Sequence, residues 1–259
     1  MNKKELNSQD VAEIWDQNAI EFTKHYTVLG DSDREMILNS VIFKILGDIA
    51  GSTILDAGCG EGYLSRLLAE KCRQVIAVDY SKKMLSIAQS KTKQNNIEYH
   101  HATIEDLSAI SSNTVDKAVS VTVFQDVPDY VAAIKEINRV LKPSGTFILV
   151  ITHPCFSAPI HGWHTDEHGY KLFWKTDNYF MEGLNKSLWA DDEGNKRLIY
   201  FHRTLETYFD ALTNNGFFIK SIKEPKPSKR GILKYPWLMN DMRVAHYLIL
   251  NCIKSDDHG

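Results

Sequence analysis

Three glycines lie within five residues in the segment from Ile54 to Gly62, which has the sequence ILDAGCGEG. The residues just before it have the character of a short strand, and those from Tyr63 onward carry leucines at helical spacing. Glycine at such a strand-to-helix turn permits positive φ and lets the backbone approach a ligand closely. Because the first N–H groups of a helix are also unpaired, the turn predicts a cofactor site.

An acid at the end of the next apolar run narrows the choice of cofactor. The run from Gln74 to Val78 ends at Asp79. A carboxylate in that place can accept two hydrogen bonds from ribose hydroxyls, each contributing roughly 1.5–3 kcal/mol because the acceptor is charged. A dinucleotide fingerprint would require a third glycine at position 63, where Tyr63 stands. The spacing therefore favours a ribose-bearing cofactor other than a dinucleotide.

In this order the motifs resemble the class I S-adenosylmethionine-dependent methyltransferases, in particular the small-molecule branch similar to the ubiquinone and menaquinone biosynthesis methyltransferases. The resemblance covers most of residues 10–225 and includes the helix start at Ser81 to Leu85 and the segment Ala102 to Leu107. It implies S-adenosylmethionine as cofactor and S-adenosylhomocysteine as product. With the spacing argument, it gives these expected cofactor-binding residues: Asp56, Ala57, Gly58, Cys59, Gly60, Asp79, Tyr80, Met84, Thr103, Ile104 and Val121.

Two places depart from the family pattern. Thr103 stands where relatives usually carry an aspartate that accepts from the adenine amino group, so a weaker or backbone-made adenine contact is expected. Gln125 and Asp126 replace a frequent histidine pair after the fourth strand, near the reacting end in similar enzymes. These departures concern the substrate and leave the fold prediction unchanged.

The elements that must position these residues alternate as short strands and helices. Such alternation predicts an α/β fold with a parallel sheet covered on both faces and ligands at the carboxyl ends of the strands. The resemblance implies a Rossmann-like, seven-stranded sheet in the order 3-2-1-4-5-7-6, with strand 7 antiparallel. We divide the chain into N-terminal lid helices at 1–50, a cofactor-binding core at 51–152, an insertion at 153–200, and the last helix with strands six and seven at 201–259.

Two N-terminal helices are predicted over residues 8–26 and 33–49 from their apolar spacing. In the family this stretch folds over the mouth of the cofactor site, which makes Trp15, Phe22 and Tyr26 candidates for the lid, with simple core packing as the alternative. Arg34 lies in the first turn of the second helix, where it is a candidate cofactor-binding residue. It could reach the methionine carboxylate of the cofactor, or it could be a solvated cation.

Residues 153–200 interrupt the alternation with a long, turn-rich and aromatic stretch, and its aromatic content argues against disorder. We interpret it as a substrate chamber that includes a short antiparallel pair of strands. His153, just past strand five, is the candidate general base because of its position and near-neutral pKa. A purely structural role before Pro154 is the alternative. The residues expected to contact the substrate are Trp15, Tyr26, Phe124, Gln125, Phe156, Trp163 and Trp174.

Composition excludes several classes of protein. At 259 residues with 43% hydrophobic content, the chain fits one α/β domain with insertions, and its net charge of −3 gives no electrostatic case for nucleic acid. The four cysteines lack C-x-x-C spacing, which suits reduced thiols in a cytoplasmic protein. No run is long and apolar enough to predict a membrane span. The histidines and acids of residues 161–168 match no metal motif, so no metal is predicted.

Together, the motifs and the resemblance predict an enzyme that transfers a methyl group from S-adenosylmethionine to an oxygen or nitrogen nucleophile of a small-molecule metabolite. A general base can add roughly 10²–10⁴-fold to such a displacement. The alternatives are a non-catalytic regulatory protein that binds S-adenosylmethionine or S-adenosylhomocysteine and, disfavoured by Tyr63, a Rossmann oxidoreductase. The sequence does not predict an oligomeric state.

Overall fold

The predicted alternation of strands and helices builds a seven-stranded sheet with two small antiparallel pairs beside it. The structure is a computed structural model that describes residues 6–186, 194 and 198–256. The strands are β1 (Thr53–Ala57), β2 (Gln74–Asp79), β3 (Ile97–His101), β4 (Val115–Val121), β5 (Leu141–Thr152), β6 (Ile160–Thr165), β7 (Lys171–Asp177), β8 (Gly183–Lys186), β9 (Ile199–His202), β10 (Phe217–Lys223) and β11 (Tyr247–Lys254). The α-helices are α1 (Ser8–Thr23), α2 (Asn39–Leu46), α3 (Tyr63–Ala69), α4 (Lys82–Lys91), α5 (Tyr130–Val140), α6 (Leu205–Thr213) and α7 (Lys229–Lys234).

The sheet has the strand order β10-β11-β5-β4-β1-β2-β3. Its first five strands pair in parallel, and β11 lies antiparallel between β5 and β10. Counting only the strands of this sheet, the order is 3-2-1-4-5-7-6, which confirms the prediction. Every residue of β1 is buried, as expected for a central parallel strand whose two faces are both covered.

Two apolar clusters cover the two faces of the sheet. On one face, α5 and α6 pack through residues such as Ile134 and Leu212. On the other face, α2 and α3 pack through residues such as Ile42 and Leu68. Because side chains alternate along a strand, neighbouring residues of β1 belong to different clusters, and the sheet divides the core into two layers.

The second N-terminal helix is not continuous α-helix over residues 33–49. Residues Arg34–Leu38 form a π-helical turn, and α2 follows directly. A π-helical turn is wider than an α-helical one and is found frequently at functional sites. Here it places the side chain of Arg34 in the same cavity wall as the glycine turn.

The insertion after β5 contains two antiparallel pairs, β6 with β7 and β8 with β9, instead of the single pair expected. Residues 187–193 and 195–197 of the insertion lie outside the part of the chain that the structure describes. No helix within the described ranges is long and apolar enough to cross a membrane.

Candidate active site

A cavity of about 1000 Å³ lies at the carboxyl ends of the parallel strands, beside the glycine turn. This is the edge of the sheet where the alternation of strands and helices places ligands. The structure brings most of the predicted residues together in its wall. Those that line it are Trp15, Tyr26, Arg34, Asp56, Gly58, Cys59, Gly60, Asp79, Tyr80, Met84, Thr103, Ile104 and Val121.

The glycines of the turn serve two different purposes. A Cβ atom at Gly58, where φ is +81°, would lie 2.4 Å from Val123 Cγ2, so glycine is needed for the close packing of the loop after β4. At Gly60, where φ is +54°, a Cβ atom would meet nothing within 4 Å. Gly60 therefore leaves open space where a ligand can approach the backbone.

Asp79 links the second strand to the glycine turn. Its Oδ2 accepts a hydrogen bond from the Gly60 N–H at 2.8 Å, and its Oδ1 accepts one from the Ser81 N–H at 2.9 Å. Burial raises the pKa of this carboxyl, while the two backbone N–H groups oppose the rise. Each carboxylate oxygen has a second lone pair, so Asp79 can still accept two hydroxyl groups from a ligand in the cavity.

Asp56 is a second buried acid in the cavity wall, at the end of β1. Its Oδ2 accepts a hydrogen bond from Ser65 Oγ at 2.6 Å. Burial raises the pKa of Asp56 to about 7, and the nearby negative charge of Asp79 adds to this effect. Near neutral pH, Asp56 is therefore divided between its charged and neutral forms.

Arg34 is a buried cation, so the solvated alternative does not apply. Its guanidinium donates to Asp31 Oδ2 at 2.6 Å and to Thr122 Oγ1 at 2.9 Å. It also lies over the ring of Tyr26, 5.2 Å from the ring centroid. These contacts fix a positive charge in the cavity wall, where an anionic group of a ligand can meet it.

Helix α1 covers the cavity and is attached to the core by side-chain hydrogen bonds. Asp16 Oδ1 accepts from Ser81 Oγ at 2.6 Å and from the Lys83 N–H at 2.9 Å, at the start of α4. At the first residue of the helix, Ser8 donates to Glu105, which also accepts from Thr103 Oγ1. Helix α1 therefore forms one wall of the cavity.

A second cavity of about 690 Å³ adjoins the first. The two share the residues Trp15, Phe22, Thr122 and Asp126. The remaining wall comes from the loop after β4, the end of β5 and the insertion. These lining residues are Gln125, Thr152, Ser157, His161, Leu198, Ile199 and Tyr200.

Some predicted residues lie outside the described linings of both cavities. His153 is buried, and its Nε2 lies 3.0 Å from Glu224 Oε1; burial lowers its pKa, and Glu224 opposes the decrease. Phe124 is fully buried against Phe147, and Ala57 is fully buried within β1. Phe124 and Ala57 are directed into the protein interior, whereas the ring of His153 is directed toward the exposed Glu224.

The predicted aromatic residues of the insertion mainly contact one another and the chain around them. Trp174 Nε1 donates to the backbone carbonyl of Phe156 at 3.1 Å. Trp163 packs edge-on against Trp174 and under the guanidinium of Arg243. None of these three aromatic side chains is among the described lining residues of either cavity. They pack outside the second cavity, where Trp174 contacts the lining residue His161.

Sequence reasoning missed two buried charged residues. Glu61, inside the glycine turn, pairs with Arg66 at 2.9 Å and with Lys91 at 2.8 Å and lines the cofactor cavity. Arg203, directly after β9, donates to the backbone of the loop after β4. The position of Glu61 in the glycine turn was a usable signal. No local pattern marks Arg203, because its partners are far away in the sequence.

Comparison with known proteins agrees with this geometry. The family model of the methyltransferase domain matches residues 55–149. A demethylmenaquinone methyltransferase of Lactococcus lactis is 28% identical over 224 residues, which are 83% of this chain and 82% of that protein. A ubiquinone biosynthesis O-methyltransferase of Xanthomonas oryzae is 33% identical over 104 residues, which are 39% of this chain and 44% of that protein. A solved S-adenosylmethionine-dependent methyltransferase structure from Listeria monocytogenes superposes with a TM-score of 0.72 at 32% identity, covering 84% of this chain and 97% of that one.

The fold and the cavity beside the glycine turn define a nucleotide-type cofactor site on a Rossmann-like sheet, and the comparisons specify the cofactor. The chain belongs to the class I S-adenosylmethionine-dependent methyltransferases and is similar to the quinone methyltransferases. It is an enzyme whose methyl donor is S-adenosylmethionine and whose product is S-adenosylhomocysteine. The residues present fit this cofactor, because the cavity offers acceptors at Asp79, open backbone at Gly60 and a cation at Arg34.

Proposed function

We propose that this enzyme methylates an oxygen or nitrogen nucleophile of a small-molecule metabolite by in-line displacement. The observation that carries the proposal is the second cavity, which adjoins the cofactor cavity and shares four lining residues with it. Its volume of about 690 Å³ falls in the range of small-molecule sites. A non-catalytic cofactor-binding protein would need no such chamber beside the cofactor.

Within this proposal the cofactor-binding residues have distinct roles. Asp79 accepts the ribose hydroxyls, and the backbone around Gly60 approaches the cofactor. Met84 and Ile104 provide apolar contacts for the adenine. Arg34 binds the methionine carboxylate. Thr103 offers the adenine amino group only a neutral hydroxyl oxygen, a weaker acceptor than a carboxylate, and this hydroxyl already donates to Glu105 Oε2 and accepts from the Glu105 N–H.

The lining of the second cavity supports an acceptor with an apolar ring. Trp15, Phe22 and Tyr200 provide aromatic surface, and Thr152 and Ser157 provide hydroxyl groups. The relatives named for demethylmenaquinone and for ubiquinone biosynthesis make a quinone-like ring metabolite a candidate. The net charge of −3 supports a small molecule over a nucleic acid, and we further propose that the enzyme acts in the cytoplasm.

The proposed division of the chain follows from which segments build the two cavities. The N-terminal helices contribute Trp15 and Phe22, and the insertion contributes Ser157, His161 and Tyr200. We therefore propose residues 1–50 as part of the lid and residues 153–200 as the substrate chamber. Chemically, the protein has to align nucleophile and methyl group and exclude water, and alignment alone can be worth roughly 7–11 kcal/mol.

Calorimetric titration with S-adenosylhomocysteine, alongside NAD, tests the cofactor site. We expect wild-type protein to bind S-adenosylhomocysteine and not NAD, and Asp79→Ala to weaken that binding by roughly 1.5–3 kcal/mol, because a charged acceptor is lost. Asp116→Ala is the matched control, since Asp116 also accepts a backbone N–H, from Thr53, but at the opposite edge of the sheet. Equal affinities for all three proteins would contradict the assignment of Asp79.

A product-release assay with S-adenosylmethionine tests the substrate class. Phenols, quinols, amines and carboxylic acids are offered in parallel with total RNA and with denatured protein. We expect S-adenosylhomocysteine to form only with small molecules. Turnover confined to RNA or protein would overturn the proposed substrate class and leave the assignment as a methyltransferase intact.

A further inference from the structure

The short 3₁₀ turn Phe124–Asp126, which follows β4, lies where the two cavities meet. Asp126 lines both cavities, and Gln125 lines the second. Their neighbour Phe124 is fully buried and anchors the turn to the core. The turn therefore presents two polar side chains at the junction between cofactor and acceptor.

Arg203, which directly follows β9 after the insertion, holds this turn in place. Its buried guanidinium donates to the carbonyl oxygens of Phe124 at 2.8 Å, Val127 at 2.6 Å and Pro128 at 3.2 Å. It also lies over the ring of Tyr130, 4.2 Å from the centroid. Because the guanidinium N–H groups of Arg203 donate to backbone carbonyls, they fix the turn without forming a hydrogen bond to the carboxylate of Asp126.

Both polar side chains of the turn have unused hydrogen-bond acceptors. Gln125 Nε2 donates to the Thr122 carbonyl at 2.7 Å, and its buried Oε1 has no partner among the described residues. The Asp126 carboxylate likewise accepts no hydrogen bond within the described part of the chain. A buried acceptor without a donor, such as Gln125 Oε1, is costly and calls for an explanation such as a ligand or a chemical step, whereas Asp126 is partly exposed to the cavities that it lines.

We infer that Asp126 is the catalytic base and that Gln125 Oε1 accepts a second hydrogen bond, so that the acceptor substrate is an O–H or N–H compound with at least two donors. This inference rests on the proposed function. A lone pair of the oxygen or nitrogen forms the new bond to the methyl carbon. The carbon–sulfur bond breaks, and its electron pair stays on sulfur. The proton of the nucleophile passes to the Asp126 carboxylate and then to solvent.

The surroundings of Asp126 suit a base. Burial raises its pKa well above the usual range, the negative charge of Asp79 adds to the rise, and the positive charge of Arg203 opposes it. Among other titratable groups, His161 and Tyr200 line the second cavity with Asp126, and Tyr208 on α6 interacts with it electrostatically. The first cavity, which Asp126 also lines, adds Arg34, Asp56, Glu61 and Tyr63. A carboxylate with a raised pKa accepts a proton more readily near neutral pH. His153, by contrast, is held by Glu224 outside both described linings.

The first test needs no known substrate, because S-adenosylmethionine carries a positive charge on sulfur that S-adenosylhomocysteine lacks. A cation beside Asp126 favours its charged form, so binding of S-adenosylmethionine must release protons. Calorimetry in two buffers of different ionisation enthalpy, between pH 5 and 8, counts those protons. We expect additional proton release with S-adenosylmethionine in the wild type that Asp126→Asn abolishes. We also expect Asp126→Asn to lower the affinity for S-adenosylmethionine several-fold and to change the affinity for S-adenosylhomocysteine less than twofold.

Asp129→Asn is the matched control, since Asp129 lies three residues further on, is exposed and caps α5, a role that asparagine preserves. We expect its proton count to equal that of the wild type. Equal proton counts in wild type and Asp126→Asn, or equal losses of affinity for both ligands, would overturn the inference about Asp126. Failure of the wild type to bind S-adenosylhomocysteine at all would instead overturn the proposed function.

A second test uses whichever phenol, quinol or amine releases S-adenosylhomocysteine in the product-release assay. We expect Asp126→Asn to lower kcat at least 100-fold and to remove the acidic limb of the pH profile. Gln125→Ala should mainly raise KM. Wild-type kcat and an unchanged pH profile in Asp126→Asn would refute its role as the base. So would turnover confined to compounds that lack an O–H or N–H group.

Discussion

The two cavities that meet at Asp126 are built in different ways. Around the glycine turn in the cofactor cavity, the charged side chains find partners within residues 60–91. Asp79 accepts from the backbone of Gly60 and Ser81, and Glu61 pairs with Arg66 and Lys91. All of these residues belong to the glycine turn, to β2 or to the helices that follow them. The part of the cofactor cavity around the glycine turn is therefore organised by the stretch of chain from Gly60 to Lys91, whereas Arg34 and Glu105 have distant partners in Thr122 and Ser8.

The acceptor cavity is assembled from four distant segments and has polar atoms without partners. Its wall combines α1, the loop after β4, the end of β5 and the insertion. The Oε1 atom of Gln125 and the carboxylate of Asp126 have no hydrogen-bond donor among the described residues. We infer that the surroundings of the glycine turn are preorganised, whereas the proposed acceptor half depends on long-range contacts and on a ligand to complete its hydrogen bonds.

The largest expected effect comes from breaking the long-range contact that holds the acceptor half. Arg203→Met removes a buried cation that donates to three backbone carbonyls of the loop after β4. A buried acceptor left without its donor typically costs about 1–3 kcal/mol. We expect a loss of this size in the free energy of unfolding, measured by denaturant titration, and loss of turnover in the folded fraction.

Arg243→Met is the matched control for this change. Arg243 also donates to two backbone carbonyls, those of Lys171 and Leu172, and stacks on Trp163, but it is exposed. Exposed interactions of this kind contribute about 0–1 kcal/mol. If the two variants were equally stable, burial of Arg203 would not be what holds the turn, and the contrast between the cavities would be weakened.

The same contrast explains how much the sequence could predict. The sheet order and the residues around Asp79 follow from short motifs, because the ends of adjacent parallel strands must meet at one edge. The arrangement of the second cavity depends on the directions in which its side chains point, and no local sequence pattern predicts these directions. In the turn after β4, Phe124 points into the core while Gln125 faces the second cavity. His153 was predicted from its place after β5, yet its ring is directed toward Glu224.

A second prediction concerns how the buried carboxyl group of Asp56, in the wall of the cofactor cavity, makes the free energy of unfolding depend on pH. The folded protein holds the Asp56 proton up to about pH 7, whereas an unfolded aspartate releases it near pH 4. Unfolding therefore releases a proton between these values, so stability falls as the pH rises from about 4 to about 7. The slope from this group reaches at most about 1.4 kcal/mol per pH unit.

Asp56→Asn keeps an oxygen that can accept from Ser65 Oγ and removes the titration. Denaturant unfolding of both proteins between pH 5 and 8 should show a flatter pH dependence for the variant, with the two curves parallel above about pH 8. Parallel curves over the whole range would mean that Asp56 is charged throughout. In that case burial of Asp56 would not lower the free energy of unfolding as the pH rises.

The smallest effect is expected where α1 joins the two halves, because α1 contributes to both cavities. Asp16 accepts from Ser81 Oγ and from the Lys83 N–H, and so caps α4 from a neighbouring helix. Removing a helix cap costs about 1 kcal/mol. Asp16→Ala should therefore weaken S-adenosylhomocysteine binding roughly fivefold and speed amide hydrogen exchange in α1.

Glu13→Ala, an exposed change on the same helix, should alter neither quantity. If Asp16→Ala left affinity unchanged while exchange in α1 increased, α1 would serve the acceptor cavity alone, and the two halves would be more independent than their shared wall implies.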